Sequence, residues 1–408
     1  MTTAPPDDPR FAQAKADFME GLAQLEAGQC DAAERCFCAS LRGVPGRVST
    51  LVNLAAVRLL LGRPEEALDS ARQALQGEPD NVDALLHQAS ALAQLGRAEA
   101  ARRGFERLLA VDDRHVAAWT RLAETYKTLG RRDDALRAYA RALALEADQP
   151  EVWSRHGDLL REAGRHDDAA QAFREALARG GDAALNGYYL AAVTGDGRAS
   201  PPPTAPAAYV RGLFDGYADD FDQHLRGLLG YEAPERLARR LATHAPFQSA
   251  LDLGCGTGLC GPLLRPMSRR LVGVDLSGAM LAKARVLGVY DELLQADLLE
   301  ALARPAEPRH DLVVAADVFI YVGELEPVFA AVRAATTPGA IFAFTAEPPT
   351  DPRQGVQLLP SLRYAHSTDY LARLAEAQGF ELLALERDVI RREQRREVEG
   401  VYVVGRRG

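Results

Sequence analysis

A run of glycines and a later acid have the residue types and spacing of a nucleotide-binding site. Gly254, Gly256 and Gly258 stand at alternate positions after a short apolar segment. Such glycines let a ligand approach the backbone closely, because they carry no Cβ. Asp275 ends the next apolar segment, where an acid can accept hydrogen bonds from ribose hydroxyls. The pattern predicts a strand, a glycine-rich turn, a helix and a second strand that together bind a nucleotide-like ligand.

The glycine spacing and two further acids favour S-adenosylmethionine over NAD. The glycines follow a Gly-x-Gly-x-Gly pattern, whereas NAD-binding turns are spaced Gly-x-Gly-x-x-Gly. Asp252 lies two residues before the first glycine, and Asp297 follows the third predicted strand, Glu292 to Ala296. A glycine-rich turn alone also fits other doubly wound folds, so the prediction depends on the combination.

At these residues the chain resembles the class I S-adenosylmethionine-dependent methyltransferases, whose first motif matches Leu251 to Gly258. The resemblance covers residues 205–408 and implies S-adenosylmethionine as the cofactor. It also implies that the glycine-rich turn cradles the methionine part, that Asp275 holds the ribose and that Asp297 holds the adenine amino group. The residues predicted to bind the cofactor are Tyr217, Asp252, Gly254, Cys255, Gly256, Gly258, Asp275, Leu276, Met280, Asp297, Leu298 and Asp317.

The segment from Tyr209 to His224 has apolar residues at helical spacing, which predicts an amphipathic helix on the sheet. It also resembles the Phe-Asp-x-Tyr-Ala-x-x-Phe-Asp segment of many methyltransferases, whose N-terminal helix covers the cofactor. The resemblance implies that Tyr217 approaches the cofactor. Phe221 is predicted to contact the substrate.

The methyl acceptor is expected at the end of the fourth predicted strand, residues 311–316. Ligands of α/β folds bind outside the carboxyl ends of the strands, so Asp317, Phe319 and Tyr321 are predicted to face the site. Relatives that methylate planar nitrogens carry Asn-Pro-Pro-Tyr here, and this chain does not. A catalytic base is needed only for an oxygen or protonated nitrogen acceptor. Candidates for it are His224, Tyr321, His366 and Glu347, and for His366 the alternative is helix capping.

The first half of the chain contains an internal repeat with a period of 34 residues. Each repeat has a glycine in a predicted turn, an alanine where paired helices would touch, and a further apolar residue four positions later. The pattern resembles the tetratricopeptide repeat, in five copies that begin near Ala14, Val48, Val82, Val116 and Pro150. The repeating glycines and alanines are Gly28, Gly62, Gly96, Gly130 and Gly164, and Ala33, Ala67, Ala101, Ala135 and Ala169.

Such arrays stack into a superhelix with a concave groove. In the last two repeats the predicted groove carries Arg121, Glu124, Arg155 and Asp158, and we expect these side chains to bind a protein or peptide substrate. The alternative is a solvated, salt-bridged helix face. Chaperone-binding arrays use a clamp of lysines and asparagines, and with only Lys127 available here we do not expect chaperone tails as ligands.

Composition limits the other partners. A net charge of −9 argues against nucleic acid, because phosphate binding needs a basic surface. No apolar run is long enough for a membrane span, the N-terminus lacks the features of a signal peptide, and no metal-ligand motif occurs. Five cysteines without a Cys-x-x-Cys pair suit a reducing compartment, so we expect a cytoplasmic protein. The charged stretch from Arg391 to Arg396 is predicted to be a solvated hairpin loop.

These observations predict a multi-domain chain in which an all-α tetratricopeptide superhelix precedes an α/β Rossmann-like class I methyltransferase domain. The predicted boundaries are 14–194 for the array with a capping helix, 195–206 for a Pro/Gly linker and 207–408 for the methyltransferase domain. We expect the array to recruit a polypeptide substrate or carrier. The alternatives are a small-molecule O- or N-methyltransferase with a scaffolding array, and a cofactor-binding interaction protein without transferase activity. The acceptor, the base and the oligomeric state are not determined by the sequence.

Overall fold

The computed structural model describes residues 9–195, 201–218, 221, 230–351, 353–393 and 396–408. The chain divides into two compact units between Gly181 and Asp182. The first unit is helical and the second is built on a mixed sheet. The predicted order of an all-α array and an α/β domain is confirmed.

Helices in the described part of the first unit follow one another in five pairs. Four of the five predicted repeat starts coincide with the first residue of a helix, and the first repeat begins earlier, at Pro9 instead of Ala14. The helices are α1 Pro9–Glu26, α2 Cys30–Gly43, α3 Val48–Leu60, α4 Pro64–Gly77, α5 Val82–Gln94, α6 Ala98–Val111, α7 Val116–Thr128, α8 Arg132–Leu145, α9 Pro150–Glu162 and α10 His166–Ala178.

The repeated small residues explain why the paired helices pack closely. The five turn glycines have φ between 69° and 74°, a conformation that strongly favours glycine. The five repeated alanines have no exposed surface at all. In the last repeat the Phe173 ring lies against Gly157, where a Cβ would come within 2.7 Å of it. The aromatic position therefore packs against the first helix of its own repeat.

A seven-stranded sheet forms the centre of the second unit, in the order β3-β2-β1-β4-β5-β9-β8. Strands β1 to β5 pair in parallel, and β9 and β8 add an antiparallel hairpin at one edge of the sheet. The strands are β1 Phe247–Leu253, β2 Ser268–Asp275, β3 Glu292–Gln295, β4 His310–Ala315, β5 Thr336–Ala346, β8 Phe380–Glu393 and β9 Arg396–Arg407, with a separate hairpin of β6 Val356–Leu358 and β7 Tyr364–His366.

Both faces of the parallel strands are buried. Leu251 and Val313 face one apolar core, and Ala250 and Leu312 face another on the opposite side of the sheet. Burial on both faces explains the nearly continuous apolar runs of these strands. The α-helices in the described part of this unit are α11 Ala183–Thr194, α12 Ala207–Tyr217, α13 Ala233–Leu241, α14 Gly261–Leu264, α15 Gly278–Val286, α16 Leu298–Leu302, α17 Glu326–Ala335 and α18 Thr368–Ala377.

Helix α11 groups with the second unit, whereas the sequence analysis assigned it to the array as a cap. The Tyr188 hydroxyl donates to the Leu362 carbonyl oxygen at 2.5 Å, and its ring contacts those of Tyr209 and Tyr364. These contacts bury Tyr188 completely. The boundary therefore lies at Gly181 and Asp182, ahead of the predicted linker, of which residues 196–200 lie outside the described residues.

One local prediction is also corrected. Tyr364–His366 forms the short strand β7, and Ser367, directly after His366, is the N-cap of α18, which begins at Thr368. Arg391 lies in β8 and is only 4% exposed, so it is not part of a solvated loop. Within the described residues, no helix is both long and apolar enough to cross a bilayer.

Candidate cofactor and acceptor site

The glycine-rich turn after β1 takes a conformation that its sequence requires. Gly254, Gly256 and Gly258 have φ of 63°, 55° and 91°. A Cβ on Gly254 would lie 2.6 Å from Val318 Cγ2, so glycine also allows the turn to pack against the end of β4. Gly254 and Gly256 line a cavity of about 470 Å³. Gly258 packs against Leu287 instead and is not among the lining residues.

The acids after β2 and β3 both line this cavity, together with Leu276 and Leu298 beside them. Asp275 accepts hydrogen bonds from the backbone N–H groups of Gly256 at 2.9 Å and Ser277 at 2.8 Å. Burial raises the pKa of its carboxyl group, although these hydrogen bonds act in the opposite direction. Asp297 is the N-cap of α16, with Oδ1 accepting from the Leu299 N–H.

Asp252 is the most deeply buried acid of the site, with 1% of its surface exposed, and it also lines the cavity. Burial raises the pKa of this carboxyl group to about 7. The Tyr290 hydroxyl donates to Asp252 Oδ2 at 2.7 Å and so holds the carboxyl in place. Sequence analysis missed Tyr290, because nothing in the local pattern after α15 indicates a partner for Asp252.

Helix α12 and the segment before it cover one side of the cavity. Tyr217 packs edge-on against Phe221, and Phe214 packs edge-on against Tyr321. All four rings line the cavity, and the cofactor contact of Tyr217 and the substrate contact of Phe221 stay predictions. Thr204 lies in the predicted linker, yet its hydroxyl donates to the Tyr321 carbonyl oxygen at 3.0 Å and its side chain lines the same cavity.

Asp317 follows β4 and lines the cavity in a strained conformation. Its φ of 56° is uncommon for a residue other than glycine, and such strain concentrates at functional sites. The Thr345 hydroxyl accepts from the Asp317 N–H at 2.8 Å and donates to Asp317 Oδ1 at 3.2 Å. Tyr321 also faces the cavity, and burial raises the pKa of its hydroxyl to about 12.

Two arginines that the sequence analysis did not assign to the site line the cavity together with Asp317. Arg391 donates to Glu347 Oε1 at 2.7 Å, and Arg363 donates to the same oxygen at 3.2 Å. Glu347, an acid considered as a base from the sequence, is therefore occupied by two guanidinium groups. No sequence motif marks these arginines, because Arg391 comes from β8 and Arg363 from the turn between β6 and β7, and they meet at Glu347 only in the folded chain.

Several predicted site residues lie elsewhere. Phe319 is completely buried against Phe342 and Phe344, so it is a core residue and does not face the site. His366 is also fully buried, with Nε2 donating to the Gly323 carbonyl oxygen at 3.0 Å, and it does not line the cavity. Met280 is buried outside the cavity lining, whereas Cys255 lines it. His224 lies outside the described residues.

In the helical unit, Arg121, Glu124 and Arg155 line one concavity of about 510 Å³ between α5 and α9. Arg155 contacts Glu124 at 3.2 Å, and the Tyr139 hydroxyl also donates to Glu124. Asp158 does not line this concavity and pairs with Arg161. Among the described residues, no cluster of three or more histidine, cysteine, aspartate or glutamate side chains could hold a metal ion.

Comparison with known proteins agrees with this division of the chain. A family model described as a methyltransferase domain matches residues 251–342. Two family models described as tetratricopeptide repeats match residues 18–82 and 120–184, and residues 58–115. The methyltransferase match includes the glycine-rich turn and the acids after β2 and β3.

Two curated relatives match a quarter of the chain. Trans-aconitate 2-methyltransferase of Paracidovorax citrulli is 35% identical over 113 residues, which are 26% of this chain and 43% of the relative. The enzyme of the same name from Delftia acidovorans is 34% identical over 113 residues, 26% of this chain and 42% of the relative. The chain thus spans less than half the length of these relatives.

Among solved structures, magnesium protoporphyrin IX methyltransferase from Synechocystis, solved with bound S-adenosylmethionine, is similar with a TM-score of 0.39 and 15% identity. The similarity covers 50% of this chain and 97% of that one. Motifs, sheet order and family matches agree on both halves: the chain is a tetratricopeptide-repeat protein with a methyltransferase domain of class I.

Proposed function

We propose that this chain transfers the methyl group of S-adenosylmethionine to an acceptor presented by a polypeptide that the repeat array recruits. The observation that carries the first part is the convergence of the glycine-rich turn with Asp275 and Asp297 on one cavity. Its volume of about 470 Å³ is in the range of small-molecule sites.

The residues of the site fit this cofactor. Gly256 lines the cavity, and a Cβ added there would have only Phe221 within 4 Å, at 3.9 Å, so the glycine leaves room for a ligand beside the backbone. The carboxylates of Asp275 and Asp297 would hold the ribose and the adenine amino group, and the turn would hold the methionine part. When bound, the cofactor supplies an electrophilic methyl group. The chain's own residues bind and orient the reactants, and the aromatic side chains of α12 exclude water.

The array supplies the second part of the proposal. Arg121, Glu124 and Arg155 combine in a concavity of mixed charge, which suits a peptide with both acidic and basic side chains. About half of the Arg155 side chain, 54%, is exposed, so it is accessible to a partner. Repeat arrays of this kind function chiefly as binding surfaces.

The experiment follows a labelled methyl group. The purified full chain, labelled S-adenosylmethionine and host lysate are incubated, and label is measured separately in macromolecules and in small molecules. Asp275→Ala is the blank, because it removes a carboxylate of the cofactor site. Arg155→Glu tests the array, and Arg72→Glu is its control, because Arg72 is 55% exposed, pairs with one acid and does not line the concavity.

Label in macromolecules that disappears with Arg155→Glu and persists with Arg72→Glu would support recruitment by the array. Label confined to small molecules would favour the second candidate, a small-molecule methyltransferase whose array is a scaffold. The names of the two curated relatives favour that candidate, since trans-aconitate is a small molecule. Cofactor binding without any transfer would favour an interaction protein.

A further inference from the structure

Arg363 and Arg391 line the cavity on the side away from the acids of the cofactor site. They meet at Glu347, directly after β5, whereas Asp275 ends β2 and Asp297 follows β3. Strands β1 and β4 lie between β2 and β5. At a strand spacing of about 4.8 Å, β2 and β5 are roughly 14 Å apart. The arginines therefore belong to the half of the cavity that remains for an acceptor.

The two guanidinium groups share a single carboxylate oxygen. Glu347 Oε1 lies 2.7 Å from Arg391 Nη2 and 3.2 Å from Arg363 Nη1. Asp317 is the second acid nearby, at 3.9 Å from Arg391, and it is also bonded to the Thr345 hydroxyl. Glu347 thus holds both guanidinium groups at the cavity wall.

Burial makes this arginine pair a stronger anion site than surface arginines would be. The side chain of Arg391 is 5% exposed, and that of Arg363 is 31% exposed on the cavity wall. Charges attract more strongly in a poorly hydrated site than in water. Guanidinium groups also match the geometry of carboxylates, to which they can donate two parallel hydrogen bonds.

The cavity that the arginines line also has many apolar walls, which restrict the body of the acceptor. Aromatic and aliphatic residues in this lining include Leu213, Phe214, Phe221, Tyr231, Ile320 and Val322. An acceptor that buries apolar surface here and places an anionic group at the arginines would satisfy both parts of the cavity.

We infer that the acceptor group entering this cavity is an apolar carboxylic acid, whose carboxylate is bound by Arg363 and Arg391. This inference rests on the proposed function, because the arginines are assigned to the acceptor only if Asp275 and Asp297 hold the cofactor. The acid can be a free molecule or the carboxyl terminus of a polypeptide, and both sources present the same chemistry to the arginines.

Calorimetric binding to the full chain, saturated with S-adenosylhomocysteine, tests this inference with two matched pairs of probes. One pair is trans-cinnamate and cinnamamide, and the other is N-acetyl-glycyl-phenylalanine and its C-terminal amide. We expect the acid of at least one pair to bind about tenfold more tightly than its amide. A preference in the first pair indicates a free acid, and a preference in the second alone indicates a polypeptide terminus.

Two variants separate binding by the arginines from a structural role. Arg363→Gln should remove the preference for the acid. Arg270→Gln should keep it, because Arg270 is 32% exposed, pairs with one glutamate and lies outside the cavity. Equal binding of acid and amide in both pairs, or a preference that survives Arg363→Gln, would overturn the inference. Failure of the wild-type chain to bind S-adenosylhomocysteine would instead contradict the proposed function.

Discussion

The Ser277 hydroxyl donates a hydrogen bond to Asp215 Oδ1 at 2.5 Å and so connects the loop after β2 to helix α12. Ser277 also caps α15 by accepting the Met280 N–H. Asp275, two residues earlier, lines the cavity. The contact therefore joins α12, the predicted lid over the cofactor, to the part of the site that would hold the ribose.

Removing this contact should free the lid. We expect Asp215→Ala to increase the dissociation rate of S-adenosylmethionine by about tenfold, the value of one hydrogen bond to a charged group. Stopped-flow displacement of the bound cofactor measures this rate. Arg211→Ala on the exposed surface of the same helix is the control. Identical rates for the two variants would show that the contact does not restrain the lid.

Gly254→Ala should weaken cofactor binding strongly. The cause is a steric clash at the cavity wall in addition to backbone strain. The new Cβ would come within 2.6 Å of Val318, which lines the cavity. Gly288→Ala is the matched control, since Gly288 also has a φ of 63° but has nothing within 4 Å of an added Cβ. Both variants should lose about 1–2 kcal/mol of stability from strain.

Only Gly254→Ala should also lose affinity for S-adenosylmethionine, by about a hundredfold or more, as measured by calorimetry. Comparable losses of affinity in both alanine variants would mean that the fold is weakened in general. In that case the argument for close approach at Gly254 would not hold.

His366 should affect acid stability and leave the pH dependence of catalysis unchanged. Burial lowers its pKa to about 4 from an ordinary value of 6.5. Between these values the unfolded chain binds more protons than the folded one, so the free energy of unfolding should fall as the pH decreases from 6.5 towards 4. The loss due to this group amounts to at most about 3 kcal/mol.

Chemical denaturation of the wild-type chain and of His366→Gln across this pH range measures the effect. The stability difference between the two chains should change with pH in favour of the variant as the pH falls. A pH-independent difference would contradict burial of a neutral imidazole. A change in the pH profile of methyl transfer in His366→Gln would instead support His366 as a catalytic base.

Helix α11 should contribute to the stability of the second unit. A chain that starts at Asp182 keeps Tyr188 and its contacts with Leu362 and Tyr364, and we expect it to unfold cooperatively and to bind S-adenosylmethionine. A chain that starts at Pro201 loses the buried ring and should melt several degrees lower, because loss of a large buried side chain typically removes about 3 kcal/mol or more. Equal melting temperatures of the two chains, measured by circular dichroism, would contradict the assignment of α11 to the second unit.

Sequence analysis located the features that depend on neighbouring residues. The glycine-rich turn and Asp275 are determined by a short local pattern, and the repeat positions recur at a fixed period. The sequence analysis failed where the direction of a side chain depends on a single 3-10 turn. The 3-10 turn Phe319–Tyr321 directs Phe319 into the core and Tyr321 into the cavity, and alternation along the chain does not distinguish them.

The remaining omissions are pairs that are distant in sequence. Tyr290 reaches Asp252, and Arg391 reaches Glu347, only after the sheet has assembled. Each of these side chains is unremarkable in its own segment: a tyrosine after a helix and an arginine in a charged stretch. Their roles become visible through burial, because a buried acid needs a donor nearby.

The division between Gly181 and Asp182 has a consequence for recombining such proteins. A foreign repeat array should be joined to the methyltransferase domain before Asp182, and not at the prolines near residue 201. A join at the prolines would discard α11 and leave Tyr364 without the ring it packs against. Under the proposed function, chimeras joined at residue 182 would exchange the recruited polypeptide and keep the methyltransferase domain intact.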